Sequence, residues 1–252
     1  MENLILGYSL ASIVGISLGL LGGGGSILTV PILVYIIKLP PKLAIALSLG
    51  IVGISGLAGI FGHLKNNNVI FKISAIFGLF AALGTILGTK IAGQMTPNLQ
   101  LILFAITMLA ASFLMIRGRK EDQPHNQKLN LNLKNILIVG TQALFVGILT
   151  GIVGVGGGFL IVPALVLLMK VPMKKAVGSS LVIISFNSLV GFFTYAKTIQ
   201  IPWEFLAKFS SFSIIGIIIG TYFSTKVPQK KLKKGFGYFL IVMGIFVLGK
   251  NL

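Results

Sequence analysis

The sequence contains no cysteine and only four acidic residues among its 252 positions. Without cysteine, the chain cannot form disulfide bonds, thiolate metal sites or a cysteine nucleophile. Charged residues make up only 10% of the chain, whereas a soluble globular protein carries roughly 25%. Apolar residues make up 55%, so polar groups cannot cover the surface. These proportions exclude a soluble globule and predict an integral membrane protein whose outer surface faces lipid.

Acidic residues are almost absent from the apolar parts of the chain. Glu2, Glu121, Asp122 and Glu204 are the whole set, and only Glu204 stands at the end of an apolar run. Carboxylates inside membrane segments mark proton relays and cation sites in many pumps. A cation substrate and a carboxylate proton relay are therefore not expected. An intramembrane enzyme is not expected either, because cysteine, in-span carboxylates and a paired set of histidines are all missing.

The basic residues, 21 lysines and arginines, give the chain a net charge of +17. In a soluble protein this excess would indicate nucleic-acid binding. Here the basic residues stand in short breaks between apolar runs, which is the pattern of membrane loops that resist translocation. Anionic lipid headgroups are the expected partner of this charge, and nucleic acid is not.

Apolar runs divide the chain into predicted membrane spans. A run of about 20 residues crosses a hydrocarbon core of roughly 30 Å as a helix. Eight long runs are present: Leu4–Leu21, Leu43–Gly62, Val69–Ala92, Leu99–Ile116, Asn135–Val153, Lys175–Ala196, Trp203–Thr225 and Gly235–Gly249. Two shorter runs, Ser26–Ile37 and Gly158–Met169, each follow a glycine cluster. The predicted fold is an all-α integral membrane protein with eight long hydrophobic spans and two short glycine-broken helices.

The chain is predicted to consist of two homologous repeats. When the sequence is shifted by 132 positions, 22 of the 51 residues in Gly15–Lys65 are identical to those in Gly147–Lys197 without a gap. The matches include non-apolar landmarks such as Pro31 with Pro163, which chance alignment of apolar residues would not produce. The predicted organisation is a first transmembrane repeat at 1–116, a polar linker at 117–134 and a second transmembrane repeat at 135–252.

The distribution of lysine and arginine bears on how the repeats are oriented. If each short helix belongs to a single crossing, the repeats are parallel and the basic residues divide 11 to 10 between the two sides of the membrane. If each short helix returns across the membrane, the second repeat is inverted and the division is 15 to 6. The positive-inside rule favours the inverted arrangement, with the basic side in the cytoplasm. The short length of the two extra helices counts against the inverted arrangement. The sequence therefore leaves open whether these helices cross the membrane fully or are re-entrant.

Glycine clusters precede both short helices and break the helix before them, because glycine loses most freedom on becoming helical. Irregular backbone at membrane depth is tolerated only inside protein or beside a wet cavity. The helix that follows offers free N–H groups and the positive end of its dipole, which favours an anion. The alternative is close helix packing, which we prefer for the separate Gly84/Gly88 pair. The predicted substrate-binding residues at the two breaks are Gly22, Gly23, Gly24, Gly25, Ser26, Gly154, Gly156, Gly157 and Gly158.

Polar residues within the apolar runs supply further candidates. Ser48 and Ser180 stand at matching positions of the repeats, and Asn187 follows Ser180 in the same run. Hydroxyl and amide groups can donate to an anion while they stay neutral. These three are predicted substrate-binding residues, although hydrogen bonds between helices explain such residues as well. Ser55 and Ser188 lie in the same runs. No metal site and no cofactor is predicted.

The doubled glycine–proline pattern, GLLGGGGSILTVP and GIVGVGGGFLIVP, resembles the sulfite exporter TauE/SafE family of membrane permeases. The resemblance covers nearly the whole chain, including its length, its spans and its polar middle loop. It implies a permease in a family associated with sulfur-containing anions such as sulfite, sulfonates and sulfoacetate. It also implies that Gly22–Ser26 and Gly154–Gly158 lie near the transport path. Gly158 stands where the first motif has Ser26, so a hydroxyl role there is not symmetric.

The predicted function is that of a multi-pass plasma-membrane permease for a small anion, and the resemblance implies a sulfur-containing one. Alternating access around a pseudo-two-fold axis is the expected mechanism, as in other transporters built from repeats. The alternatives are a passive anion channel and an accessory membrane subunit without transport of its own. The sequence leaves the transport direction, the coupling ion and the oligomeric state open.

Overall fold

The computed structural model describes residues 2–117, 133–153 and 158–251. These residues fold into helices and contain no strand, which confirms the predicted all-α class. In chain order the helices are α1 (Glu2–Leu21), α2 (Gly24–Pro31), α3 (Pro41–Lys65), α4 (Phe71–Gly93), α5 (Pro97–Arg117), α6 (Leu133–Val153), α7 (Gly158–Pro163), α8 (Met173–Ala196), α9 (Trp203–Lys226) and α10 (Gln229–Asn251).

Seven of these helices are long and apolar enough to cross a membrane: α3, α4, α5, α6, α8, α9 and α10. They confirm seven of the eight predicted long spans. In α1 the apolar stretch found among the described residues is Ser9–Leu21, which is shorter, so the span at Leu4–Leu21 stays a prediction. Large apolar side chains are exposed on the outer faces, among them Phe61 at 70% and Val242 at 64%. Such a surface is suited to lipid rather than water.

The reversal between α1 and α2 is shorter than the sequence predicts. Only Gly22 and Gly23 are non-helical, and Gly22 has a φ of +74°, a conformation that favours glycine. Gly24 and Gly25, which the sequence places in the break, form the first turn of α2 instead. Glycine is needed at position 25 within this helix because α1 and α2 approach closely, and a Cβ atom there would overlap the side chain of Leu18 in α1.

After this reversal α2 runs back beside α1 and continues through a π-helical turn, Ile32–Ile36. A Cβ atom on Gly7 of α1 would lie 2.8 Å from Cδ1 of Ile37. The stretch of α1 between Gly7 and Leu21 is about 21 Å long at 1.5 Å per residue. The short helix and its π turn therefore return along most of the length of α1.

The other short helix, α7, ends in the same way, with a π-helical turn at Ala164–Leu168. Both π turns close with a lysine of positive φ, 62° at Lys38 and 53° at Lys170. The next residue then donates its N–H to a carbonyl within the π turn, at 2.9 Å from Leu39 and 2.9 Å from Val171. Lysine here takes the left-handed position that glycine commonly occupies after a helix.

Two glycine-lined contacts join helices from opposite halves of the chain. Helix α1 packs against α9, where a Cβ atom on Gly216 would overlap the carbonyl oxygen of Ser12. Helix α4 packs against α6, where a Cβ atom on Gly84 would overlap the carbonyl oxygen of Leu144, 132 positions after Ser12. Glycine is needed at these positions because the backbones approach so closely. The packing interpretation of the Gly84/Gly88 pair is therefore confirmed.

Helices α3 and α8 form the centre of the fold, and they pack antiparallel. Gly50 of α3 contacts Phe192 of α8, whereas Gly59, nine residues later, contacts Leu181, eleven residues earlier. Most residues of both helices are buried, as expected for spans largely surrounded by other helices, although Phe61 of α3 and Phe186 of α8 are exposed. Helices α5 and α10 are also antiparallel, because Gly237 contacts Ile116 and Gly244 contacts Leu109.

Candidate functional site

The first glycine break lies directly against α8. A Cβ atom on Gly22 would lie 2.6 Å from the hydroxyl oxygen of Ser180 and 3.0 Å from Cα of Val177. Ser180 is fully buried and donates a hydrogen bond of 2.8 Å to the carbonyl of Val177. The structure thus brings together two of the sequence-predicted site residues, and only a residue without a side chain fits between α1 and α8 at this point.

Ser48 and Ser180, the matched serines, are not neighbours. Ser48 is also fully buried and donates to the carbonyl of its own helix, at Ile45, at 2.8 Å. In the antiparallel packing of α3 against α8, Ser180 lies near the level of Gly59. Eleven residues of helix separate Gly59 from Ser48, which is about 16 Å. The two serines therefore lie towards opposite ends of the pair of helices.

Asn187 is the most unusual side chain in the centre of the fold. It is fully buried, and neither Nδ2 nor Oδ1 has a hydrogen-bond partner among the described residues. The same holds for the hydroxyls of Ser55 and Ser188 within that part of the chain. Burying an amide without hydrogen bonds costs roughly 1–3 kcal/mol by mutational measurement. Such a group in a native fold calls for a ligand or water that pairs with it.

Asn187 and Ser55 occupy equivalent places. They are 132 residues apart in the sequence, like every other matched pair of the two halves. Gly53 contacts Leu189 and Gly56 contacts Ser185, so the intervening Ser55 lies at the level of Asn187 where α3 and α8 cross. A pseudo-two-fold relation between the helices would place its axis at this level.

The four residues Ser48, Ser55, Ser180 and Asn187 form what we call the polar stripe. On each helix the two members are seven residues apart, which puts them on one face about 10 Å from each other. The stripe therefore extends from the level of Ser48, through the crossing, to the level of Ser180 and the first glycine break. All four side chains are fully buried.

Three side-chain contacts anchor the helices that lead into the glycine breaks. The Nε2 atom of His63 lies 3.2 Å from the carbonyl oxygen of Gly19, and the hydroxyl of Tyr195 donates to the carbonyl of Gly151 at 3.5 Å. Gln100 donates from Nε2 to the carbonyl of Ile152 at 2.8 Å. The end of α6 is thus held by two side chains.

Other predicted site residues are only partly described. Gly154, Gly156 and Gly157 lie outside the described residues, and Gly158 is the first residue of α7. Ser26 belongs to the first turn of α2, and Gly23 directly precedes that helix. The part of the site expected at the second glycine cluster therefore stays a prediction.

The sequence alone did not single out Ser55, Ser188 or Gln100. A signal for Ser55 exists, because it stands 132 positions before Asn187 and pairs a hydroxyl with an amide at the matched place. Ser188 carries no such signal, since its counterpart is Gly56. Gln100 has Leu232 at the matched position, so only the contact with α6 reveals it.

Comparison with known families decides the class of protein. The family model described as sulfite exporter TauE/SafE matches residues 8–247. The chain belongs to the sulfite exporter TauE/SafE family. This TauE/SafE protein is accordingly a membrane transporter and not an enzyme, and it is a multi-pass protein of the plasma membrane.

Several relatives match this TauE/SafE protein over almost their full length. A probable membrane transporter protein of Xylella fastidiosa (strain 9a5c) is 33% identical, over 99% of this chain and 97% of the relative. A probable membrane transporter protein of Methanocaldococcus jannaschii is 28% identical, over 94% and 92%. The probable membrane transporter protein YdhB of Bacillus subtilis is 26% identical, over 94% and 96%. No solved structure matches the chain.

In the described part of the TauE/SafE protein, charged side chains lie near helix ends rather than in the polar stripe. Lys42 donates to the carbonyl of Gly93 at 3.4 Å, and Lys174 donates to the carbonyl of Thr225 at 2.6 Å. Both lysines satisfy the end of a neighbouring helix, where a cation also suits the dipole. Glu204 is exposed and forms an ion pair with Lys208 one turn later. No cluster of metal-binding side chains occurs in the described ranges.

Proposed function

We propose that this TauE/SafE protein moves a small sulfur-containing anion, such as sulfite or a sulfonate, by alternating access around a pseudo-two-fold axis. The observation that carries the proposal is Asn187, a fully buried amide without a partner among the described residues, at the crossing of two sequence-matched helices. Transporters built from repeats bind their substrate at the repeat interface near the middle of the membrane. The TauE/SafE family supports a small anionic substrate.

The two repeats are proposed to be inverted. Matched helices α3 and α8 run antiparallel, as do the matched helices α5 and α10. A two-fold axis along the membrane normal would make matched helices parallel, whereas an axis in the membrane plane makes them antiparallel. The return of α2 along α1 supports the same arrangement, because it lets α1 and α3 point in one direction. This arrangement is also the one in which the basic residues divide 15 to 6.

Labelling of introduced cysteines tests the inverted arrangement, and the natural chain, which has no cysteine, is the ideal background. Lys38→Cys and Lys170→Cys place a thiol at matched positions after the two π turns. In inverted repeats, a membrane-impermeant maleimide added to intact cells labels the first and spares the second. Labelling of both positions from the same side would show that the repeats are parallel.

We infer a negative charge on the substrate from the groups that surround the polar stripe. Helix α2 begins with Gly24 right after the break, so its first N–H groups and the positive end of its dipole face the region of Gly22. The amide of Asn187 and the hydroxyl of Ser55, which have no partner among the described residues, can donate to an oxyanion. Neither α3 nor α8 carries a carboxylate. We therefore propose that the anion is held by neutral donors, with Asn187 at the crossing and with Gly22 and Ser180 about two helical turns away along the path.

We extend the site to the matched residues on the basis of the repeat. Ser48 takes the place of Ser180, and the second glycine cluster takes the place of the first. The remaining proposed site residues are Gly23, Gly24, Gly25, Ser26, Gly154, Gly156, Gly157 and Gly158. In alternating access, the two ends of the polar stripe would open to opposite sides of the membrane in turn.

Reconstitution tests the function. Purified protein in vesicles is screened for transport of sulfite, sulfate, thiosulfate, small sulfonates and carboxylates, and the same anions are tested for thermal stabilisation, since a bound ligand raises stability. Gly24→Val and Gly157→Val should reduce transport strongly, whereas Gly78→Val, where a Cβ atom meets nothing within 4 Å among the described residues, should not.

The screen also separates the alternatives. A permease shows saturable flux and countertransport, in which a gradient of unlabelled anion drives labelled anion uphill across the vesicle membrane. A passive channel gives flux that does not saturate and shows no countertransport. An accessory subunit gives no flux for any of these anions, and full transport by Gly24→Val and Gly157→Val proteins would remove the glycine breaks from the site.

A further inference from the structure

We infer that His63 binds a proton on its Nδ1 atom and that this proton moves with the anion, so that the TauE/SafE protein is a proton–anion symporter. This inference rests on the proposed function and names the ion that is coupled to transport. The feature that carries it is a buried imidazole beside the first glycine break, with one nitrogen that has no partner among the described residues.

The contact between His63 and Gly19 decides which ring nitrogen carries hydrogen in the neutral imidazole. A backbone carbonyl oxygen only accepts, so Nε2 must hold the hydrogen where it lies 3.2 Å from the carbonyl oxygen of Gly19. The other nitrogen, Nδ1, is then the basic one. It is buried and has no hydrogen-bond partner in the described part of the chain. A proton that binds to the ring therefore binds at Nδ1.

Anchoring α1 does not by itself require a histidine. At the matched place Tyr195 makes the equivalent contact with the carbonyl of Gly151. A tyrosine ordinarily stays neutral near physiological pH, whereas an imidazole changes its charge between about pH 5 and 8. The first half thus has a side chain that can take up a proton where the second half has only an anchor.

The groups around His63 disfavour a charge on the ring as long as no anion is present. Neither α1 after Glu2 nor α2 carries a charged residue, and α3 and α8 contain no carboxylate. Glu204 of α9 is exposed at the other end of that helix and is paired with Lys208. The titratable side chains at this end of the packed helices are Lys65 of α3, Lys174 and Lys175 of α8, and Tyr222 and Lys226 of α9. Nearby lysines repel a further positive charge, so the ring is expected to stay neutral without an anion.

The anion supplies the missing negative charge. Gly19 stands three residues before Gly22, a rise of about 4.5 Å along the helix, so an anion at the first break lies close to the ring of His63. Opposite charges attract more strongly inside a protein than in water. The anion therefore favours the protonated ring, and by linkage the protonated ring favours the anion to the same extent.

A proton can reach His63 from one side of the membrane. His63 stands two residues before Lys65, the last residue of α3, and Asn66 and Asn67 beyond it are exposed. On the inverted arrangement, the loop that follows α3 lies on the side that holds most of the basic residues. The proton and the anion would therefore leave or enter together at the cytoplasmic end of the path.

An imposed pH gradient tests the inference in vesicles that contain the full-length protein. The probes are sulfate, thiosulfate and ethanesulfonate, whose own charge is constant between about pH 5 and 8, the range in which an imidazole titrates. With the membrane potential clamped at zero, one pH unit should accumulate a transported probe up to about tenfold on the alkaline side, because coupling converts a tenfold proton gradient into an equal anion gradient. A carrier without proton coupling gives no accumulation.

Two variants separate proton binding from anchoring. His63→Tyr introduces the residue of the matched place, and His63→Gln introduces an amide that can donate to a carbonyl as Gln100 does to Ile152. Both can keep the contact with α1, but neither titrates in this range, so transport should continue without accumulation. His125→Gln is the control. It removes the other histidine of the chain, which stands in the polar linker, and should keep the wild-type accumulation.

The protonation of His63 can also be measured directly. The chain has two histidines, so His125→Gln protein with nitrogen-15 histidine gives the imidazole signals of His63 alone. At a pH of about 8, where an imidazole is ordinarily neutral, the spectrum should show hydrogen on Nε2 only. A transported anion, sulfite included, should then raise the protonated fraction at least about twofold at constant pH. An unchanged fraction would overturn the link between the anion and His63.

The outcomes separate the inference from the proposed function. Flux without accumulation under a pH gradient in wild-type vesicles overturns the inference while the proposed function stands. Accumulation that persists in both His63→Tyr and His63→Gln shows that another group carries the proton, and it overturns the assignment to His63. If sulfite alone is transported, or if neither variant folds, the nitrogen-15 measurement decides. An absence of flux for every anion at every pH overturns both proposals.

Discussion

The imidazole Nε2 of His63 lies 3.2 Å from the carbonyl oxygen of Gly19, so the last turn of α3 is joined to the turn of α1 that leads into the first glycine break. At the matched place in the other half, Tyr195 donates to the carbonyl of Gly151. Two chemically different side chains thus make the same connection. The preserved feature is the anchoring of the helix before each break, whichever side chain supplies it.

Removal of the His63 contact should weaken the fold slightly. We expect His63→Phe to lower the free energy of unfolding by about 1 kcal/mol, in the range of hydrogen bonds between membrane helices. His63→Tyr, which supplies the side chain of the matched position 195, should lose less. Unfolding in mixed micelles measures both. Equal stability of His63→Phe and the wild type would mean that this contact does not hold α3 against α1.

The glycine contacts between α1 and α9 should tolerate no side chain. A Cβ atom on Gly220 would overlap the carbonyl oxygen of Ile16, so Gly220→Ala must push the helices apart at a cost of about 1–3 kcal/mol. Gly235→Ala is the control, because a Cβ atom there meets nothing within 4 Å among the described residues. It should be neutral or stabilising, since alanine is the better helix former by about 1 kcal/mol. Thermal unfolding of both proteins checks this, and equal losses would contradict the close packing.

A side chain at the first glycine break should disturb transport for two separable reasons. Gly22→Ala costs about 1–2 kcal/mol for the left-handed backbone and also crowds the hydroxyl of Ser180 at 2.6 Å. The double change Gly22→Ala with Ser180→Gly relieves only the crowding, so it should recover stability in part. Thermal unfolding and vesicle transport are measured together. Gly93→Ala is the matched control, and full activity of Gly22→Ala would show that the break tolerates a side chain.

The two halves should assemble when they are expressed as separate chains. The contacts of α1 with α9 and of α4 with α6 both join opposite halves, and so do those of α3 with α8. We expect fragments 1–117 and 133–252 to copurify through a tag on either one. Gly84→Leu together with Gly216→Leu should reduce the yield of the complex strongly. Fragments that elute separately without these changes would contradict the dominance of cross-half contacts.

Much of the helical architecture follows from the sequence, because membrane helices are encoded by long apolar runs that are separated by short segments rich in lysine and arginine. The spacing of 132 also relates contacts that recur in the structure, such as those of His63 with Gly19 and of Tyr195 with Gly151. The extent of the first glycine break does not follow. Four consecutive glycines look alike in sequence, and only the structure shows that Gly24 and Gly25 are helical and pack closely on α1.

The site is less predictable than the fold. Ser48 and Ser180 match in sequence, and this match suggests that they meet, but antiparallel packing of matched helices separates all residues except those near the crossing. That is why Ser55 and Asn187, rather than the matched serines, share one level. The register of α3 against α8 depends on contacts between distant glycines and large side chains, and a single sequence does not specify it.

The antiparallel packing of α3 against α8 bears on how such a chain arises. A free-standing half can place its central helix against a second copy in this way only if the second copy sits upside down in the membrane, so an ancestral half would need to insert in both orientations. A half whose loops carry nearly equal numbers of basic residues on the two sides of the membrane can insert in both orientations. On the inverted arrangement, the first repeat still divides its lysines three to two between the two sides, whereas the second divides its own eight to three. On that arrangement, most of the charge bias that sets the orientation in the membrane lies in the linker and the second repeat, and the first repeat contributes almost none.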